Sequence, residues 1–167
     1  LGDYRHHNEY VVSDHSLNLV QLEYRIPVYQ GRTQTLYTYS QSVAPALRHQ
    51  EGGRCLIWAS RLDSQKRPDL LHKLAVELLA ENIETKIYVY GSAVLDQFEP
   101  TYFDDCPNVI YKGSFSGLES IPFTDKSAFL YTSLFDGLPN VLLEAAQMSI
   151  PIIMVDVGGV SELIKIG

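Results

Sequence analysis

The chain has 167 residues and a mass of 18.8 kDa, a size that suits one domain with a substantial core. Apolar residues make up 46% and charged residues 20%, an ordinary globular balance that excludes a disordered tail, a collagen-like repeat and a coiled coil. Thirteen basic against twenty acidic residues leave a net charge of −7 without a basic run, so the chain is a poor candidate for binding duplex DNA or an anionic bilayer, no nucleic acid partner is expected, and an anionic ligand must be met by a few placed cations.

No stretch approaches the roughly 18 consecutive apolar residues of a membrane span. Asp3, Arg5 and Glu9 interrupt the place where the apolar core of a signal peptide would sit. Leu1 stands where Met would open a complete chain, so a piece of something longer is expected. Two cysteines, Cys55 and Cys106, cannot build a disulfide framework, and a reducing, cytoplasmic compartment is expected.

Residues 1–50 are rich in tyrosine and polar side chains. They offer candidate strands at Tyr10-Val-Val and Thr35-Leu-Tyr-Thr-Tyr39 and a weak helix between Ser16 and Tyr24. This segment is expected to be an interdomain crossover or a remnant of an amino-terminal domain. His6, His7 and His15 make a poor metal site, because adjacent residues project differently.

From residue 51 to 167 the pattern alternates. Cys55-Leu-Ile-Trp-Ala-Ser60 is an apolar run that predicts a buried strand, followed by a polar loop carrying Arg61, Lys66 and Arg67. Pro68 at a first helical position and Asp69 in the first turn predict a helix start. Leu70, Leu71, Leu74, Ala75, Leu78 and Leu79 form its apolar stripe, and Asn82 can close it. Further strands are predicted at Lys86–Tyr90, ending at Gly91, at Asn108–Tyr111, ending at Gly113, and at Ser127–Tyr131 and Ile150–Val155. A helix is predicted from about Pro139 to Met148, and another after Gly158-Gly159. Strands alternating with helices mean a parallel sheet, so the fold expected is a Rossmann-like α/β domain with helices on both faces.

In such a sheet, ligands bind beyond the carboxyl ends of the strands, where the strand order reverses. With the five strands ordered 3-2-1-4-5, the loop holding Arg61 and Lys66 faces the loop Ser133–Asn140. Cations on one side and a helix N-terminus on the other suit a phosphate or diphosphate. Asn140, Glu144 and Gln147 share a helix face, and Glu144 is suited to accept hydrogen bonds from a diol such as ribose. Taken singly, each residue has a plainer reading: a solvated cation, the exposed face of an amphipathic helix, a turn at Asp136-Gly137.

The run "FDGLPNVLLEAAQMSIPIIMVDVGGVSELI" resembles the donor-binding segment of retaining glycosyltransferases of family 4, which have the GT-B fold. "ASRLDSQKRPDLL" is similar to the arginine-lysine loop of that family, and "IYVYGSA" and "VIYKGSF" to its intervening strands. The resemblance spans about residues 54–166 and implies that residues 51–167 are the nucleotide-sugar-binding half of a GT-B enzyme, truncated at its carboxy end. It implies that Arg61 and Lys66 hold the donor's diphosphate and that Glu144, the second acid of an E-x7-E motif, bonds the ribose hydroxyls. The first acid falls at Asp136, which would act beside the transferred sugar. The backbone from Gly137 through Leu138 and Pro139 to Asn140 is implied to contact sugar or phosphate. Ser114 and Phe115 would lie by the nucleobase.

Asp136 stands where the motif usually has Glu, one methylene and about 1.5 Å shorter in reach. Ser60 replaces the more usual glycine. No Asp-x-Asp metal motif is present, in keeping with a metal-free reaction whose only small-molecule partner is the nucleotide-sugar donor. The acceptor, a glycan or lipid, would be bound by the absent amino-terminal domain, with peripheral membrane association of the longer protein. The isolated fragment is expected to bind nucleotide weakly and to transfer little sugar. The rival expectations are another GT-B enzyme, such as a nucleotide-sugar epimerase or phosphorylase, and a non-catalytic nucleotide-binding or assembly module.

Overall fold

The structure, a computed structural model, describes residues 10–13, 32–35, 53–93 and 100–164. The chain divides into two compact units, one of Leu1–Tyr39, Phe135–Asn140 and Asp156–Gly167, the other of Ser40–Leu134 and Val141–Val155. In the first, strands β1 (Tyr10–Ser13) and β2 (Arg32–Thr35) pair in parallel, Tyr10 opposite Arg32 and Ser13 opposite Thr35. The strand expected at 35–39 therefore meets an observed one only at Thr35. Its remainder, the weak helix at 16–24 and the three amino-terminal histidines lie outside the described residues.

The second unit is built on a five-stranded parallel sheet of β3 (Cys55–Ala59), β4 (Lys86–Tyr90), β5 (Val109–Gly113), β6 (Ser127–Tyr131) and β7 (Ile152–Met154). The spatial order is β5-β4-β3-β6-β7. Strand order reverses between β3 and β6, the two central strands. This is the Rossmann-like arrangement expected from the alternating pattern.

Helix α1 (Pro68–Ala80) covers one sheet face. Cross-strand register puts Leu56, Trp58, Ile87, Val89, Val109 and Tyr111 on that face, and they pack with Leu71, Leu74, Ala75 and Leu78 of the helix. Leu79 belongs to the expected stripe but is exposed, because it lies one residue beyond the buried edge. Pro68 occupies a first-turn position, where its missing N–H costs nothing. Arg67 before it adopts a left-handed conformation and forks onto Asp69 at 2.8 and 2.9 Å. The helix ends on left-handed Asn82: the Ile83 amide donates to Leu78 O and the Asn82 amide to Leu79 O. That is a Schellman closure, which asparagine tolerates better than most residues.

Helix α2 (Asn140–Gln147) buries Leu142 and Ala145 and closes in the same way. The Ile150 amide donates to Ala145 O, and Ser149 takes the left-handed position. Ile150 is thereby used as a helix cap, which is why β7 starts two residues later than the apolar run suggests.

Candidate functional site

The ends of β3, β4 and β5 are laced by main-chain hydrogen bonds beyond the strands themselves. The Ser60 amide donates to Tyr90 O at 3.0 Å, Leu62 to Ser92 O at 2.9 Å and Gly91 to Gly113 O at 2.8 Å. Gly91 has φ +146°, and a Cβ there would collide with the Ser60 carbonyl. Only glycine lets these two loop starts approach so closely.

The loop after β3 is shaped by Asp63, a buried carboxylate that accepts from the Lys66 amide at 3.0 Å and caps a short 3-10 turn, Ser64–Lys66. Arg61 is held in the same loop, 3.3 Å from Asp63 and 3.4 Å from the Gln65 side-chain oxygen, with its side chain 55% exposed. The Lys66 ammonium lies over the Tyr131 ring, 5.9 Å from its centroid, a cation–π placement at the end of β6.

This loop is clasped to the one after β6, across the reversal of strand order. The Thr132 hydroxyl donates to Lys66 O at 2.7 Å and accepts from the buried Trp58 indole N–H at 2.8 Å. The Ser133 hydroxyl and the Leu134 amide both donate to Gln65 O, at 3.2 and 2.7 Å. Three donors from residues 132–134 thus fix the main chain of 65–66, and with it the base of the Lys66 side chain.

Ser114 and Phe115 follow β5, Ser114 exposed and Phe115 half-buried. The turn after them brings Glu119 back over Gly117, and its charge reaches Glu144. Burial first, and Glu119 second, push the Glu144 carboxyl above the ordinary glutamate range. Glu144 is half-buried on α2, while Gln147 on the same face is exposed.

In the other unit, the Gly137 amide donates to the Asp136 carboxylate at 3.1 Å, so that amide already has a partner. Leu138 and Pro139 are buried, Asn140 exposed. Gly158, at φ +57°, sits against the Asp136 carbonyl with no room for a Cβ, and the Gly159 amide donates to Gly137 O at 3.0 Å. Helix α3 (Val160–Ile164) starts immediately afterwards. Gly158-Gly159 is more than a loop before a helix: the pair also braces the Asp136-Gly137 turn.

Arg61 and Lys66 stand out in the sequence, whereas the holding roles of Asp63, Thr132 and Ser133 in their loop do not. Asp63 left a signal, an acid three residues before the amide it caps. Thr132 and Ser133 left none, because their partners lie 66 and 68 residues away.

The model of the family described as glycosyl transferases group 1 matches residues 53–167. The O-antigen biosynthesis glycosyltransferase WbnH of Escherichia coli is 26% identical over 110 residues, which cover 66% of this chain and 31% of that protein. Among solved structures, TarM superposes with a TM-score of 0.74 at 18% identity, over 90% of this chain and 30% of its own. The pneumococcal O-GlcNAc transferase GtfA, solved with UDP and GlcNAc, superposes with a TM-score of 0.66 at 23% identity, over 90% of this chain and 31% of its own. The chain therefore spans under a third of the length of these relatives. Within that span, the parallel sheet and the match over 53–167 make this chain a member of the glycosyl transferases group 1 family.

Proposed function

We propose that the chain is the donor-binding part of a retaining glycosyltransferase of family 4, moving a hexosyl-type sugar from a nucleoside-diphosphate-sugar to a glycan or lipid-linked acceptor. The observation that supports it most is the clasp between residues 65–66 and 132–134, which sets Lys66 at the reversal of strand order. Ligands of open α/β sheets bind at that point.

In this reading Lys66 and Arg61 take the diphosphate and Glu144 the ribose diol, with Ser114 and Phe115 beside the base. Asp136 acts by the transferred sugar, and the Gly137–Asn140 turn lines it. As the bond from the anomeric carbon to the diphosphate oxygen breaks, negative charge grows on the leaving group. A new bond forms from that carbon to the acceptor oxygen, and the acceptor's proton passes to the surrounding solvent. Cations already in place at the diphosphate stabilise the growing charge without reorganising, so no metal is required. We place the reaction in the cytoplasm, at a membrane face when the acceptor is lipid-linked; among the described residues no helix is long and apolar enough to cross a membrane. The acceptor is taken by a separate amino-terminal domain, so the 167 residues alone bind nucleotide weakly and turn over little. The named relatives are glycosyltransferases, which favours transfer over an epimerase, a phosphorylase or a non-catalytic module.

Thermal shift with uridine, guanosine and adenosine diphosphates, each beside its parent nucleoside, tests the reading. One diphosphate raises the melting temperature and its nucleoside does not. Equal silence from all three at millimolar concentration contradicts it.

A further inference from the structure

Among the described residues, a second cluster of chemically capable side chains stands apart from the loops that follow the strands. His72 lies on α1, and Asp105 and Cys106 lie in the turn that precedes β5. The His72 Nε2 atom is 2.9 Å from both carboxylate oxygens of Asp105. One imidazole nitrogen, one carboxylate oxygen and the Cys106 sulfur all lie within 4.8 Å of one another. Cys106 is buried, His72 half-buried and Asp105 exposed, so the cluster is open to solvent on its carboxylate side.

The frame holding these groups does not depend on them. Asn108 Nδ2 donates to Ala75 O at 3.0 Å, one turn further along α1, and links the same two elements across the same separation of 33 residues. The Cys106 amide donates to Phe103 O, and the Val109 amide to Cys106 O, so the turn is internally bonded on both sides of the sulfur. The Tyr102 ring flanks His72 at 5.4 Å. An ion pair joining α1 to this turn would need only the imidazole and the carboxylate. The Cys106 sulfur, buried in the core beneath them, is itself hydrogen-bonded to the Asp105 carboxylate and adds a soft donor to the pair.

We propose that His72, Asp105 and Cys106 bind a zinc-type divalent cation, with water in the fourth position. Tetrahedral zinc takes nitrogen and oxygen ligands at about 2.0–2.2 Å and thiolate at about 2.3 Å, which puts ligand atoms roughly 3.5 Å apart. The ion would take the place of the 2.9 Å His72–Asp105 hydrogen bond, with the three ligand atoms already within 4.8 Å of one another. The mixed nitrogen, oxygen and sulfur set favours zinc over magnesium or calcium, which prefer oxygen alone. On binding, the thiol proton passes to the buffer, and the imidazole binds through neutral Nε2 with its proton on Nδ1. Carboxylate and thiolate together then balance the charge of the ion. The ion would pin α1 to the turn before β5 and is separate from the proposed donor site.

The test loads the 167-residue chain with cadmium and with zinc. Cadmium at one equivalent gives an ultraviolet thiolate-to-metal charge-transfer band, and zinc competes with a chromophoric chelator. Cys106→Ser abolishes the band, His72→Gln and Asp105→Asn each weaken zinc binding at least about tenfold, and Cys55→Ser changes neither. Circular dichroism checks that each variant is folded. No band in the wild type, a band that survives Cys106→Ser in a folded protein, or a band lost in Cys55→Ser overturns the proposal. If Cys106→Ser does not fold, the exposed Asp105→Asn variant decides, and unchanged zinc affinity in it overturns the proposal.

Discussion

The hydroxyl of Thr132 donates to the main-chain carbonyl of Lys66 at 2.7 Å, joining the loops that follow the two central strands. The same hydroxyl accepts the Trp58 indole N–H at 2.8 Å, so one oxygen serves a buried donor and a loop acceptor together. Thr132→Val removes both bonds and leaves the indole N–H buried without a partner. It is expected to lower the unfolding free energy by about 1–3 kcal/mol. Thr132→Ser keeps the hydroxyl and most of the stability. Urea unfolding of the two variants checks this, and equal loss in both would mean the methyl group, not the hydroxyl, carries the effect.

Gly91 and Gly113 end neighbouring strands, yet their substitutions should differ. Both have positive φ, +146° and +79°, but a Cβ at Gly91 meets the Ser60 carbonyl while one at Gly113 meets nothing within 4 Å. Gly113→Ala is expected to cost backbone strain alone, about 1–2 kcal/mol. Gly91→Ala costs more, since a main-chain oxygen must also shift. Denaturant midpoints of the two variants, measured side by side, reveal the order; the reverse order would contradict the close approach of the β3 and β4 loop starts.

Much of the second unit was legible because its signals are local. Pro68 with Asp69 announces the start of α1, Asn82 its end, and the apolar runs mark β4 and β6 to the residue. Strand ends were less legible where a residue has a second duty. Ile150 reads as strand from its side chain but is consumed by the cap of α2. The end of β5 at Gly113 was legible from the glycine, but not the irregularity between Val89 and Tyr90 that shifts the register and brings Gly113 opposite Tyr90. The cations of the candidate site were legible from their place after an apolar run. The groups that hold them were not, because a threonine at the end of a strand carries no mark of a carbonyl 66 residues away.

Glu144 gives stability a pH dependence whose sign follows from its raised pKa. A carboxyl with a folded pKa above its unfolded value stabilises the fold while protonated, and that contribution is lost as pH rises through the folded value. Glu144→Gln removes the charge that burial and Glu119 oppose. The variant is therefore expected to melt above the wild type at pH 7, with the gap closing as pH falls to the ordinary glutamate range. Melting temperatures across pH 4–8, a window chosen to bracket roughly that range, show whether the gap closes. A variant that melts below the wild type at pH 7 would mean the carboxylate has a stabilising partner. If Glu144 also binds ribose, the same substitution weakens nucleotide binding while it stabilises the fold, the trade expected of a functional group held against its electrostatics.

The central claim is that Lys66, fixed by the clasp from residues 132–134, meets the diphosphate of a nucleotide. Isothermal titration of the diphosphate that raises the melting temperature tests it most directly, in the wild type, Lys66→Ala and Lys73→Ala. Lys73 is an exposed lysine on α1, so its removal changes the net charge equally. Lys66→Ala is expected to weaken binding by about 1.5–3 kcal/mol, the range for a hydrogen bond to a charged group, or roughly 10- to 150-fold. Lys73→Ala should leave the affinity within about twofold, because an exposed charge that makes no contact in the proposed site is screened by salt. Equal affinities in all three proteins would contradict the account.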